Sequence, residues 1–449
     1  MQQILDTFDN WLWGNWLLFV LLGVGLLYTI LTGAIQVRKF HYIFQTTLVK
    51  PLKDRAKKNA AAGEGNISSF AALCTALASC VGSGNIVGVA TAVIAGGMGA
   101  LFWMWVAAFL GMATKYGEIV LGMMYREKDE KGNYVGGPMY YIKKGLHAPW
   151  LAVLCAFFMV TQIIGGNFIQ SNTISGVMFN NFNIPTMVTG IVLIVLLFII
   201  TLGGLKRLAN VAQKVVPFMA FLYVAGGLII IILNITKIPS VFVEIFQGAF
   251  GLRAMAGGAA GSMIMAMQKG VARGLYSNEA GEGSAPVIHS AAQVRNPVEQ
   301  GINGVTEVFV DTFVLCTNTG LVIGVTGVLN SGAKASVLAI EAFASVWMPL
   351  RYVVAVCLLL FSFTTLMSQW YFGFVGLNYI FGEKVADKFK YVFPLFCIIG
   401  ALAKIELVWT IQDIVLGLLT IPNLIAITWL SPKVAKATKE YFAGQKAAG

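Results

Sequence analysis

Three hydroxyls, Thr364, Thr365 and Ser368, fall at i, i+1 and i+4 of a long apolar run, on one face if the run is helical. Hard cations take oxygen ligands, so two hydroxyls beside carbonyls freed from an unwound helix make a neutral-ligand site for sodium. The chain offers such a helix between Ser68 and Ala95. There Gly82, Gly84 and Gly88 stand with Ser79, Ser83 and Asn85 in a stretch long enough to span a bilayer. Unwound backbone at membrane depth needs partners, because lipid offers no hydrogen bonds. A second interrupted run, Met255 to Met263, carries Gly257, Gly258, Gly261 and Ser262. Paired Gly-broken segments at matching places in two halves point to a transporter site. Close helix packing is the plainer reading of either run alone.

Other polar groups fall inside apolar runs: Thr161, Gln162, Asn167, Gln170 and Asn172 in one, Ser362 and Gln369 next to Trp370 in another. Amides are costly in hydrocarbon, so they are expected to face the bundle interior. Lys115 and Glu118, three apart, are expected to pair on one helix face. Glu307 and Asp311, four apart, repel unless a cation is near, and suit an inner vestibule or gate. Asn278, Glu279 and Glu282 fall in a loop, as parts of an inner gate or as caps of a short helix.

These groups must be positioned by a membrane bundle. Of 449 residues 57% are hydrophobic and 11% charged, against about 25% charge in soluble domains, and the mean hydropathy is +0.77. The sequence reads as an all-α polytopic membrane protein, a single transmembrane transporter domain over 1–449. Eleven spans are expected, near 16–35, 68–95, 99–124, 148–180, 186–203, 212–234, 246–271, 304–328, 340–378, 391–405 and 408–430. The second and seventh each open a five-helix repeat, 68–234 and 246–430. With the N-terminus outside and the C-terminus cytoplasmic, every Lys and Arg except Lys115, Lys237, Arg253, Lys334, Arg351 and Lys404 lies on the inner side. Asp6 and Asp9 without a basic residue before Trp16 argue against a cleavable leader.

Several function classes drop out. The net charge of +11 forms no soluble basic face for nucleic acid. Six scattered cysteines lack metal or disulfide spacing, and His41, His147 and His289 stand alone in expected loops. No phosphate loop, nucleophile elbow or His-Glu-x-x-His motif occurs, so neither an enzyme nor an ATP-driven pump is expected.

The stretch Gly96-Gly-Met-Gly-Ala-Leu-Phe-Trp-Met-Trp-Val-Ala-Ala-Phe-Leu-Gly111 resembles the signature of the bacterial and archaeal sodium/alanine-glycine symporters. Gly82-Ser-Gly-Asn-Ile86 resembles their broken first core helix, and Tyr276-Ser-Asn-Glu-Ala-Gly-Glu-Gly-Ser-Ala-Pro286 the motif after the second. The resemblance implies leucine-transporter-like inverted five-helix repeats with one additional N-terminal transmembrane helix. It also implies sodium-driven uptake of small neutral amino acids across the inner (plasma) membrane, with no cofactor beyond the coupling ion. By it, Ser79, Gly82, Ser83, Gly84 and Asn85 touch substrate or ion, Gln170 and Gly258 touch substrate, and Trp370 caps a small pocket. Thr364, Thr365 and Ser368 match the sodium region, with Cys80 contributing its backbone carbonyl. Cys80 and Ser83 stand where the family often has threonine. With no unpaired acid expected at the midplane, the substrate is expected to be a neutral zwitterion such as alanine or glycine. The partners are then that amino acid, sodium and the bilayer, not nucleic acid, and the chain is expected to be a monomer. The rival is a proton-coupled carrier using Glu118.

Overall fold

The computed structural model describes residues 2–53, 65–251, 261–403 and 405–448. The molecule is a helical bundle, and its only strands among the described residues are two-residue bridges. We number the helices that build it α1 Asn15–Leu31, α2 Ser69–Cys80, α3 Val87–Gly96, α4 Gly99–Met124, α5 Pro149–Phe182, α6 Thr186–Thr201, α7 Gly204–Leu233 and α8 Ile238–Ala249. The second half has α9 Gly261–Asn278, α10 Pro297–Val308, α11 Thr317–Thr326, α12 Ala335–Val346, α13 Leu350–Phe381, α14 Glu383–Val392, α15 Phe396–Leu402 and α16 Ile405–Ala448. Among the described residues seven helices are long and apolar enough to cross a membrane, or eight with the bent pair α2 and α3.

That bent pair is the broken helix read from the glycines. Ser68 Oγ caps α2 by accepting from the Ala71 N–H at 3.2 Å. The helix then fails at Val81 and Gly82, whose backbones leave the helical region, and after one 3-10 turn α3 resumes at 59° to α2. Glycines favour the failure because each costs about 1 kcal/mol in a helix interior. Gly97 at φ +68 turns the chain directly into α4.

The spans depart from expectation in four places. The long ninth is two helices, α12 and α13, parted at Trp347, and the short tenth is broken into α14 and α15. The last span does not stop at 430: α16 runs on to Ala448 through Pro422 and Pro432. The seventh is split into α8 and α9, and its run Met255 to Met263 falls largely outside the described residues, Gly258 with it. Because α9 reaches Asn278, Lys269 and Arg273 lie beside Asp9, Trp13 and Asp413, at the N-terminal end of α1. They had been expected on the opposite side. α10 and α11 are joined by π-helical turns, Phe309–Cys316, which carry Asp311 inward.

The longest packing seam is α5 against α13, and α4 packs on α9 and α10. Gly166 lets the seam close on a polar group. A methyl there would push the Gln369 amide aside.

Candidate functional site

At the α2 break the Gly82 N–H donates to Asn85 Oδ1 (3.0 Å) and the Ser83 N–H to Gln170 Oε1 (3.3 Å). Gln170 comes from α5, so it bridges to a backbone group that the break has freed. Beside it, Thr365 Oγ1 lies 3.4 Å from the Val81 carbonyl and Ser368 Oγ 3.1 Å from that of Thr75. Thr365 Oγ1 also lies 3.0 Å from the Phe361 carbonyl of its own helix, so two hydroxyls of α13 stand beside one carbonyl within α2 and one just past its end, a corner of oxygens without charge. Thr364 is not part of it. Its hydroxyl bonds the Phe361 carbonyl at 2.9 Å and faces Met219 Sδ at 3.7 Å on α7, one residue round the helix from Thr365.

A cavity of about 20 Å³ adjoins the break, on the scale of one ordered water. A larger solute must therefore part the helices to enter. Ser79, Cys80, Gly82, Gly84, Gln170 and Thr365 border it, so much of the expected site converges. Ser83, Asn85, Ser368 and Thr364 do not border it. Asn85 is drawn the other way: its Nδ2 donates to Asp311 Oδ1 at 2.5 Å, and Thr319 Oγ1 donates to its carbonyl at 2.7 Å.

Trp370 is also absent from this cavity. Thr365 and Gln369 share a helix face four residues apart, whereas Trp370 lies about 100° further round. It instead lines a separate cavity of about 270 Å³ with Tyr371, Phe374 and Lys131. There the loop ammonium of Lys131 bonds Glu383 and lies 3.5 Å from Asp387 Oδ2. The Glu383 carboxylate holds that ammonium above the ordinary lysine range.

What sequence reasoning missed is the rest of the wall. Gln162, Gln369 and Gln412 border the cavity, each with a buried amide atom that no protein group satisfies. Such orphans mark a place where water or a ligand completes the bonding.

Acids line the wall too, against the expectation of none. Glu279 and Glu282 border the cavity, with Glu279 Oε2 3.0 Å from Ser79 Oγ and 2.7 Å from Ser284 Oγ. The segment read as an exposed loop is buried.

Lys115 and Glu118 do not pair. Lys115 Nζ lies 2.5 Å from Glu307 Oε1 and donates to the Asn278 carbonyl at 2.6 Å. Glu118 accepts from Asn423 Nδ2 at 2.5 Å. His289 is not a loop histidine but fully buried. Gln300 Nε2 donates to its Nδ1 (2.6 Å), which leaves Nε2–H to donate to Glu307 Oε2 at 3.1 Å. Cys80 reaches the same carboxylate through its thiol, 2.9 Å from Glu307 Oε1. All six cysteines are buried and free of disulfides.

At the opposite end from Trp370, Arg273 grips Asp413 with two bonds of 3.1 and 2.8 Å. Its guanidinium lies 5.1 Å from the Trp409 ring, which packs 5.2 Å from Tyr276 on the cavity wall. An ion pair and two aromatics therefore roof the cavity on that side.

A broken membrane helix, freed backbone groups and a polar cavity buried between helices define a membrane transporter rather than an enzyme. The chain belongs to the sodium:alanine symporter family, whose profile matches residues 1–449. It is 44% identical over 98% of its length to an uncharacterized transporter of Haemophilus influenzae, 96% of which is covered. It is 38% identical to the sodium/alanine symporter AgcS of Methanococcus maripaludis, over 98% of this chain and 97% of that one. Its fold is similar to the crystal structure of the Eremococcus coleocola manganese transporter, with a TM-score of 0.52 and 13% identity over 80% of this chain and 75% of that one.

Proposed function

We propose that the chain couples sodium influx to uptake of small neutral amino acids, alanine and glycine, across the plasma membrane. In this reading 68–234 and 246–430 are inverted repeats that alternate access around the α2 break, with the N-terminus outside and the C-terminus cytoplasmic. One observation carries it: the hydroxyls of Thr365 and Ser368 meet α2 carbonyls beside a buried cavity walled by unsatisfied amides. Oxygen ligands without charge suit sodium, while the amides suit a zwitterion. The substrate carboxylate replaces Gln170 as acceptor of the Ser83 N–H, and its ammonium turns to the Glu279 side. Membership of the sodium:alanine symporter family and the likeness to AgcS support this reading.

The proton-coupled alternative gains less support at Glu118, which accepts from Asn423 and does not border the cavity. Glu279, which does, takes over that rival role. The deciding experiment is uptake of labelled alanine into proteoliposomes under an inward sodium gradient or an equal proton gradient. Accumulation is expected only with sodium, and Thr365→Ala is expected to abolish it. Accumulation driven by protons alone would overturn the sodium site. No alanine uptake under either gradient would overturn the substrate.

A further inference from the structure

Where α1 ends and α16 passes beyond the spans, a groove of about 630 Å³ opens at the basic end of the molecule. Arg38, Lys39, Lys436 and Lys439 line it beside Leu31 and Phe442, and none of the lining residues is acidic. Glu440 meets Lys436 at 3.9 Å, but both side chains are exposed, and such pairs are weak in water. The cations come from two separate stretches of chain that face one groove. Lys39 Nζ sits 4.7 Å over the Phe442 ring, and Arg38 Nη1 lies 3.4 Å from the Gly33 carbonyl.

The groove is continuous with apolar surface. Ile30 and Leu31 are exposed on α1, and so is Trp429, seven residues before Lys436 on α16. A free phosphate would gain nothing from Leu31 and Phe442, whereas a headgroup with acyl chains uses both halves. Basic pockets between helices at the membrane boundary are where anionic headgroups bind. We propose that this groove binds the phosphodiester headgroup of an anionic phospholipid, with its chains along Ile30, Leu31 and Trp429. The lipid then fastens α16 to the end of α1, beside the Tyr42–Tyr441 contact of 3.0 Å and the Tyr116–Thr438 contact of 2.6 Å. This holds whatever solute the protein carries.

The test uses the full chain purified in neutral detergent and titrated with phosphatidylglycerol, phosphatidylcholine or inorganic phosphate, with bound lipid counted by native mass spectrometry. Phosphatidylglycerol is expected to be retained over phosphatidylcholine by about tenfold or more. The Lys39→Gln/Lys436→Gln/Lys439→Gln variant loses that preference. Lys206→Gln/Lys384→Gln/Lys388→Gln, which removes the same charge elsewhere at this end, keeps it. Equal retention of both lipids would overturn the proposal, as would equal loss in both variants. Displacement of the lipid by equimolar inorganic phosphate would make it a free-anion site and also overturn it. If the first variant is not monodisperse, Lys439→Gln alone, with a smaller loss, decides the same point.

Discussion

Lys115→Met is expected to destabilise the protein severely. The ammonium is fully buried and neutralises Glu307, which otherwise keeps only His289 and the Cys80 thiol as partners. Removing one member of a buried pair costs about 3–5 kcal/mol, a large share of a total stability of about 5–15 kcal/mol. The variant should elute as aggregate on fluorescence-detected size exclusion. Lys115→Met/Glu307→Gln should recover part of the monodisperse peak, because no buried charge is then left alone. A Lys115→Met variant as heat-stable as the parent would show that the pair holds nothing together.

Gly82→Ala is expected to leave the protein folded and to stop transport. A methyl at Gly82 would fall 2.5 Å from Thr365 Oγ1 and 3.2 Å from Gln170 Nε2. It must therefore displace the hydroxyl and the amide that the proposed mechanism uses. Misplacement by about 1 Å costs on the order of 100-fold in rate, so sodium-driven alanine uptake should fall at least that far. Gly82→Ala should therefore resemble Thr365→Ala, for which loss of sodium-driven uptake is expected, while staying monodisperse on size exclusion. Proteoliposome uptake by Gly82→Ala at the parent's rate would show that transport does not need the Thr365 hydroxyl and Gln170 amide in these positions.

These two residues also show how much the chain reveals before it is folded. The α2 break was legible because glycine, serine and asparagine stand where a lipid-facing helix would have Leu or Ile. Thr365 and Ser368 were legible as hydroxyls, but their split from Thr364 was not. That depends on which neighbouring helix each faces, Val81 and Thr75 on α2 for one pair and Met219 on α7 for the other. Lys115 and Glu118 satisfy the spacing rule for a helical pair, yet each finds a better partner on another helix. Local spacing cannot foresee competition from helices 192 and 305 residues away.

The segment from Tyr276 to Pro286 failed for another reason. It is polar and follows a span, so it reads as a loop in water, but Ser284 and Ser79 satisfy Glu279 inside the bundle. Trp370 was misplaced by one step of helical rotation relative to Gln369. The basic extension of α16 beyond 430 was hidden because its charge looks like a tail, whereas Tyr116 and Tyr42 bind it to the bundle.

The burial of every thiol has a practical consequence. Of the six cysteines, Cys80 alone is among the residues lining the central cavity, and the other five are packed elsewhere between helices. In the alternating-access cycle proposed above, opening of that cavity brings a small maleimide to Cys80. The unaltered chain thus carries its own chemical clock. Its alkylation rate, followed with sodium and alanine added in turn, reads how readily the cavity opens without engineering a probe into the protein.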